Sequence, residues 1–390
     1  MKKKASILLS GIIATSMLLS GCGNATAPAS SSSSSGDTIK IGVLEPMTGA
    51  YAAGGAIEVE GIKLANELYP EVLGKKIELV TVDNKSDKVE SANAASRLVD
   101  KEKVSAIIGS YSSSMSMPAG DVIKKAKVPA VAPSATNPLV TQDNDYYFRV
   151  CFIDPFQGQV MANYAYNKLN AKKVAIIQEV SNDYSVGLAK FFSDSFKKLT
   201  GDDKSVLALV NYNTGDQDFT AQLTNIKATN PDVIFAPGNF TESALIMKQA
   251  RQLGITVPII GGDTWEVNEF LQIGGSAVEG AIFSTFFTTE KPMTKESEKF
   301  LAEYAKRNPG KEPAAATALA YDSYIVIRDA IEKAGSADPA KIRDQLAKTK
   351  DFQGAAGVIT LDENRNAVKD AVIKEVKNGK FVFLDMVGAK

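Results

Sequence analysis

The chain of 390 residues contains no histidine, the side chain that most often moves protons near neutral pH and the commonest metal ligand. It also has no Gly-x-Ser-x-Gly elbow, no glycine-rich phosphate loop and no clustered metal ligands. The usual signatures of hydrolases, nucleotide enzymes and metalloenzymes are therefore missing, and no cofactor is expected. A serine hydrolase with a lysine assisting one of Ser112, Ser113 or Ser114 is the enzyme chemistry left open. No long basic run occurs, so nucleic-acid binding has no support. Only two cysteines are present, Cys22 and Cys151.

What is present begins with Lys2, Lys3 and Lys4, a largely apolar stretch over 5–19, and Leu19-Ser20-Gly21-Cys22. The apolar stretch is short for a membrane span and suits the core of a secretory signal. Leu19 to Cys22 resembles the lipobox of bacterial lipoproteins. Residues 1–21 are thus expected to be a signal peptide, with Cys22 acylated and anchored to the cell membrane. Residues 22–36, with six serines from Ser30 to Ser35, read as a flexible tether with nothing to bury. Without the three leading lysines, the basic residues fall four short of the 45 acidic ones. With Cys22 taken by lipid, Cys151 has no partner and stability must come from packing. The length and the 44% hydrophobic content allow two α/β domains of ordinary size.

The organising stretch is 104–138. Residues 104–109 read as a buried strand, 110–114 (Ser-Tyr-Ser-Ser-Ser) as a hydroxyl-rich loop, 117–127 as a helix and 128–132 as the next strand. Two parallel strands would then deliver the loops 110–114 and 134–137 to one sheet edge, where ligands bind in open α/β sheets. The design recurs later: 232–238 leads through a helix over 241–253 to 257–263. Twenty residues separate Gly109 from Pro129 and Gly238 from Pro258, and a shift of 129 carries Ser134 onto Asp263. Two similar lobes would each offer one polar loop, one lined by hydroxyls and one bearing a carboxylate.

Around this core the pattern predicts strands over 39–44, 76–83, 174–178, 206–212 and 233–237. Helices are expected over 56–69, 89–102, 154–169, 186–199, 219–229, 295–307, 314–334 and 339–348. In the first, Ile62, Ala65, Leu68 and Tyr69 face inward, with Glu58, Lys63 and Glu67 toward water. Asp218, with Gln222 further on, reads as a helix cap. Strands over 357–361, 371–377 and 380–384 close the chain, the last two joined by the hairpin turn Asn378-Gly379.

From residue 39 onward, in element order, the chain resembles the bacterial leucine/isoleucine/valine-binding proteins, receptors of amino-acid ABC importers. The residues that carry the likeness are 109–119, 133–141 (with Ala135-Thr136-Asn137-Pro138), 182–188 and Gly261-Gly262-Asp263. The resemblance implies two Rossmann-like α/β lobes joined by a three-strand hinge, the type I periplasmic binding protein fold. It implies lobes of 37–152 plus 289–356 and of 153–288 plus 357–390, with crossings near 150–155, 283–288 and 357–362. It implies that Ser113 binds a ligand carboxylate through hydroxyl and N–H, Thr136 contacts carboxylate and ammonium, the Ser134 carbonyl receives the ammonium beside Ala135, Asp263 pairs with it, and Tyr184 closes over the ligand. Tyr111 and Asn239 fall among the lining positions.

The residue types suit these roles. Hydroxyls and N–H groups at a helix start satisfy a carboxylate, and a carbonyl, a hydroxyl and a carboxylate satisfy an ammonium. Taken without the family, 110–116 also fits a solvated turn and Tyr184 a surface tyrosine. The chain departs from the pattern where family aromatics fall on Gly54 and near Ala316 or Thr317, and where a tyrosine falls on Asn239. The pocket is therefore expected to be wider and partly more polar, open to branched-chain, aromatic or other apolar amino acids. The implied partners are ABC permease and ATPase subunits, with the receptor a monomer. A sensor of the same fold signalling to a membrane partner is the alternative.

Overall fold

A computed structural model describes residues 38–389. The expected signal peptide, Cys22 and the tether lie outside the described residues. The first sheet is built from β1 (Thr38–Glu45), β2 (Glu71–Val72), β3 (Lys75–Asp83), β4 (Ala106–Gly109), β5 (Ala130–Ala132) and β6 (Tyr147–Arg149). Its helices are α1 (Ala52–Leu68), α2 (Lys88–Ser96) and α3 (Ser113–Ala126). After α4 (Asp154–Asn163) the second sheet starts, alternating β7 (Val174–Glu179), α5 (Asp183–Thr200), β8 (Val206–Tyr212), α6 (Thr220–Thr229), β9 (Val233–Phe235), α7 (Phe240–Gln252), β10 (Ile259–Gly261), α8 (Asn268–Gly274) and β11 (Ile282–Thr285). The chain continues through α9 (Lys295–Arg307), α10 (Ala315–Ala334), α11 (Pro339–Leu346), the small ribbon β12 (Phe352–Gly354) and β13 (Gly357–Ile359), and ends on β14 (Ala371–Lys377) and β15 (Lys380–Val387).

The strand orders are β2-β3-β1-β4-β5-β6 and β15-β14-β11-β10-β9-β7-β8. Leaving out the antiparallel strands β2, β14 and β15, each sheet is parallel, with its first strand between its second and third. Both lobes therefore have the doubly wound order whose switch point opens a crevice beyond the strand ends. β4, β5 and β7 are buried at every position, as strands covered on both faces must be. The internal shift of 129 residues carries β5 onto β10, end for end.

Two helices begin four residues earlier than the pattern suggests. Helix α1 starts at Ala52, and Glu58 is fully buried, not facing water. The reason is helical spacing: Glu58 lies one turn before Ile62 and two before Ala65, on the face that packs inward. Helix α3 starts at Ser113, ahead of Pro118, so Ser113 to Ser116 form its first turn and are buried. Asp218 is not the cap of α6: the N-cap position is Phe219, without a side-chain bond, and the Asp218 carboxylate one residue earlier accepts from Thr220 N at 2.9 Å in a local turn, while Gln222 turns away to Asn211 O. Asn378 and Gly379 have φ of 54° and 67°, the left-handed pair that a two-residue hairpin turn requires.

Residues 295–346 return to the first lobe. Tyr324 OH accepts from Asn66 Nδ2 at 2.9 Å, Tyr69 OH donates to Glu296 at 2.7 Å, and Tyr304 OH donates to Glu60 at 3.1 Å, fixing α9 and α10 on α1. Where segments pass between lobes, the Phe152 and Phe286 rings lie 4.4 Å apart. Asp322 on α10 is fully buried and accepts from Ala355 N and, at 3.0 Å, from Ala356 N, just ahead of the last crossing. Burial raises its carboxyl to about 7, against the pull of nearby Lys369, whose ammonium is buried without a hydrogen bond. Asp322→Ala strands two buried N–H groups, and is expected to cost about 2 kcal/mol or more. Urea unfolding monitored by circular dichroism checks this; a loss under 1 kcal/mol would contradict it.

Candidate functional site

A small cavity lies between the two sheets. Its walls come from the segments that follow strand ends: Tyr51 after β1; Tyr111, Ser112 and Ser113 after β4; Ser134 after β5; Asn182 and Tyr184 after β7; Asn239 after β9; Asp263 and Thr264 after β10. The helices α3, α5 and α7 begin at this point, so their first N–H groups, which have no partner inside the helix, converge on it. Met115 N and Ser116 N both donate to Ser112 O, leaving the N–H groups of Ser113 and Ser114 ahead of the helical ladder. Ser113 Oγ accepts from Asn137 N at 3.2 Å. One end of the cavity thus presents hydroxyls and amides with no fixed charge, a setting suited to an anion.

Asp263 stands on the opposite wall. Its Oδ1 accepts from Gln157 Nε2 at 2.7 Å and from Tyr184 OH at 2.9 Å, which fixes the carboxylate plane. Desolvation raises its pKa to about 6, opposed by those two hydrogen bonds. A Cβ on Gly262 would sit 2.2 Å from the Tyr184 hydroxyl, so glycine is needed here for Tyr184 to reach Asp263.

Other carboxyls crowd the first-lobe wall. Ser134 Oγ donates to Glu58 Oε1, and burial lifts Glu58 to about 8. Glu45, which accepts from Tyr111 N at 2.8 Å, is raised well above the carboxylate range by burial and by Glu58. Asp154 is pushed up to about 8 by burial, and neither of its oxygens has a partner. Of these four carboxyls, Asp263 is therefore the one that most readily carries a charge at neutral pH.

Ser113, Ser134, Tyr111, Tyr184, Asn239 and Asp263, all singled out from the sequence, meet at the cavity. Ala135 and Thr136 do not line it: both are buried behind the wall, where Ala135 O accepts from Arg149 at 2.6 Å and Thr136 O from Asp154 N at 3.1 Å. Gly54 does not widen the pocket, contrary to expectation. A Cβ there would lie 2.3 Å from the Tyr111 ring, so an aromatic from the next loop occupies the space that glycine vacates. Tyr51 and Thr264 are not among the expected site residues, Ser112 enters only as a candidate nucleophile and Asn182 only within the segment 182–188. Tyr51 is the one aromatic in a loop of small residues, and Asn182 caps α5 by accepting from Tyr184 N at 3.1 Å; both signals were readable in the sequence.

Residues 38–380 match the family described as periplasmic binding protein. A Leu/Ile/Val-binding protein homolog of Brucella melitensis is 30% identical over 334 residues, covering 83% of this chain and 87% of that one. Among solved structures, the leucine-binding protein LivK of Thermotoga maritima superposes with a TM-score of 0.87 at 47% identity, covering 90% of this chain and 99% of that one. LivJ of Streptococcus pneumoniae, a branched-chain amino-acid transporter substrate-binding protein solved with isoleucine, gives 0.84 at 37% identity over 90% and 99% of the two chains. With its two lobes and the match across nearly all described residues, the chain belongs to the periplasmic binding protein family, extracytoplasmic solute-binding proteins and not enzymes.

Proposed function

We propose that this protein is the lipid-anchored receptor of an ABC importer, capturing a free α-amino acid in the cavity by closure of lobes 37–152 plus 289–356 and 153–288 plus 357–390. The observation that carries the reading is the pairing of opposite chemistries across one small cavity. The start of α3, with Ser113, meets the α-carboxylate; Asp263 and the Ser134 carbonyl meet the ammonium. Tyr184 and Tyr111 cover the ligand. Lipid attached at Cys22 holds the receptor at the membrane, where it delivers its ligand as a monomer to permease and ATPase subunits.

Closure has its own contacts. Asp183, at the start of α5, receives Lys88 Nζ at 2.7 Å and Ser114 Oγ at 2.8 Å on its carboxylate, while its carbonyl accepts from Asn137 Nδ2 at 2.8 Å. Asn239 Nδ2 reaches Ala50 O at 3.1 Å. These bonds join the lobes without involving a ligand. They support a closed form that an occupied cavity favours over an open one.

Calorimetric titration tests the assignment of Asp263. Truncating one partner of a buried charge-assisted contact costs about 2 to 5 kcal/mol, so Asp263→Ala is expected to weaken an α-amino ligand by roughly 30-fold to a few thousand-fold. Asp263→Asn should weaken it less, because the amide oxygen still accepts one hydrogen bond. Affinity within threefold of wild type in both variants, with a lowered melting temperature, would reduce Asp263 to a turn residue.

The pH dependence follows from the raised carboxyl. In the empty cavity Asp263 titrates at about 6, and a ligand ammonium favours its ionised form, lowering that pKa. Binding is then at full strength above about pH 6 and is lost as pH falls, with a proton released on binding below it. Affinity at pH 5 should be about tenfold weaker than at pH 7.5. A flat profile over that range would show that Asp263 does not meet the ammonium.

Small-angle scattering tests closure. The radius of gyration should fall when a ligand saturates the protein, since residues on both lobes must touch one small molecule. An unchanged value at saturation would remove the hinge from the mechanism.

A further inference from the structure

Two residues that line the cavity each carry a buried polar atom with no partner. Asn239 is 1% exposed, and its Oδ1 makes no hydrogen bond. The amide cannot be turned over, because its Nδ2 is fixed on Ala50 O at 3.1 Å, so the oxygen is the half left free. Tyr111 is 7% exposed and its hydroxyl is likewise unpaired. Burying such groups dry is unfavourable, and a ligand that satisfies them gains over one that does not.

Resting on the amino-acid reading above, we infer that the ligand's side chain is neutral and polar, a carboxamide or hydroxyl, not a branched hydrocarbon. Asn239 Oδ1 only accepts, so the side chain must bring a donor. Tyr111 OH both donates and accepts. A carboxamide supplies both kinds of partner and a hydroxyl supplies one or the other.

A carboxylate side chain has no donor and would face Asp263. A cationic one finds no second free carboxylate. The nearby Glu179 is fully buried and already occupied: Oε2 accepts from Asn182 Nδ2 and Asn239 N, both at 3.1 Å, and Oε1 from Thr214 Oγ1. A hydrocarbon leaves Asn239 and Tyr111 unpaired.

The test compares pairs of similar shape by calorimetry: L-asparagine with L-leucine, and L-threonine with L-valine. Sites built to hydrogen-bond a polar group reject analogues that lack it, so each polar member should bind at least about tenfold more tightly. Tyr111→Phe removes only an unbonded hydroxyl and keeps the ring over Gly54; it and Asn239→Leu should each reduce the preference several-fold, with unliganded melting curves recorded alongside.

Leucine and valine binding as tightly as their polar counterparts, while Asp263→Ala still weakens them, would overturn this inference and leave the amino-acid reading intact. A polar preference unmoved by either variant would also overturn it. Detection of no α-amino acid by the wild-type protein would overturn both.

Discussion

Parallel strands end on one side of a sheet, and this constraint shapes everything that happens in the cleft. Each strand end is followed by a helix start, and each helix start leaves N–H groups without partners. Two such sheets facing each other bring α3, α5 and α7 together at the same spot. Their positive ends would repel one another if nothing anionic stood between them. Asp183 stands between α3 and α5, bound by Ser114 and Lys88 from the other lobe. Glu179 does the same for α5 and α7 by accepting from Asn182 and Asn239 N. The remaining donors, at the start of α3, are the ones a bound anion would use.

The concentration of carboxyl groups around the cavity follows a second rule. Glu45, Glu58, Asp154 and Asp263 cannot all be ionised in so little water, and burial raises each of them. Asp263 is raised least far, to about 6, because Gln157 and Tyr184 support its charge. Glu58, at about 8, is held to the wall by Ser134, while Asp154, also at about 8, sits there with neither oxygen paired. Chemically similar residues thus serve different ends, divided by how many donors each one meets.

Much of this was legible in the sequence, and the gaps have physical causes. The apolar runs of β4, β5 and β9 and the shift carrying Ser134 onto Asp263 placed both polar loops at the strand ends where they are found. Glu58 was misplaced because its charge outweighed its spacing: it lies on the inward face, and a carboxyl is buried only when something long-range supports it, here Ser134. The expected helix over 117–127 starts four residues later than α3 does, since proline is favoured in a helix's first turn and Pro118 lies near that expected start. The helix accepts proline one turn further in, and the serines before it become helical. Ala135 and Thr136 sit in a motif whose neighbour Ser134 does reach the cavity; which of three consecutive residues points inward depends on backbone turns that composition does not encode. The filling of Gly54 by Tyr111 joins segments 57 positions apart, a contact invisible to local pattern.

That substitution of one ring for another has a consequence for how specificity can change. The aromatic wall of the pocket is not carried on the helix that Gly54 belongs to. It rides on the loop of Tyr111, Ser112 and Ser113, the same short segment that leads into α3 and is tied to Glu45 through Tyr111 N. On the proposed reading, shape recognition and anion recognition therefore share one backbone. A change that reshapes the wall also shifts the donors beside it, so selection for a new ligand would act on both properties together and could not tune them one at a time.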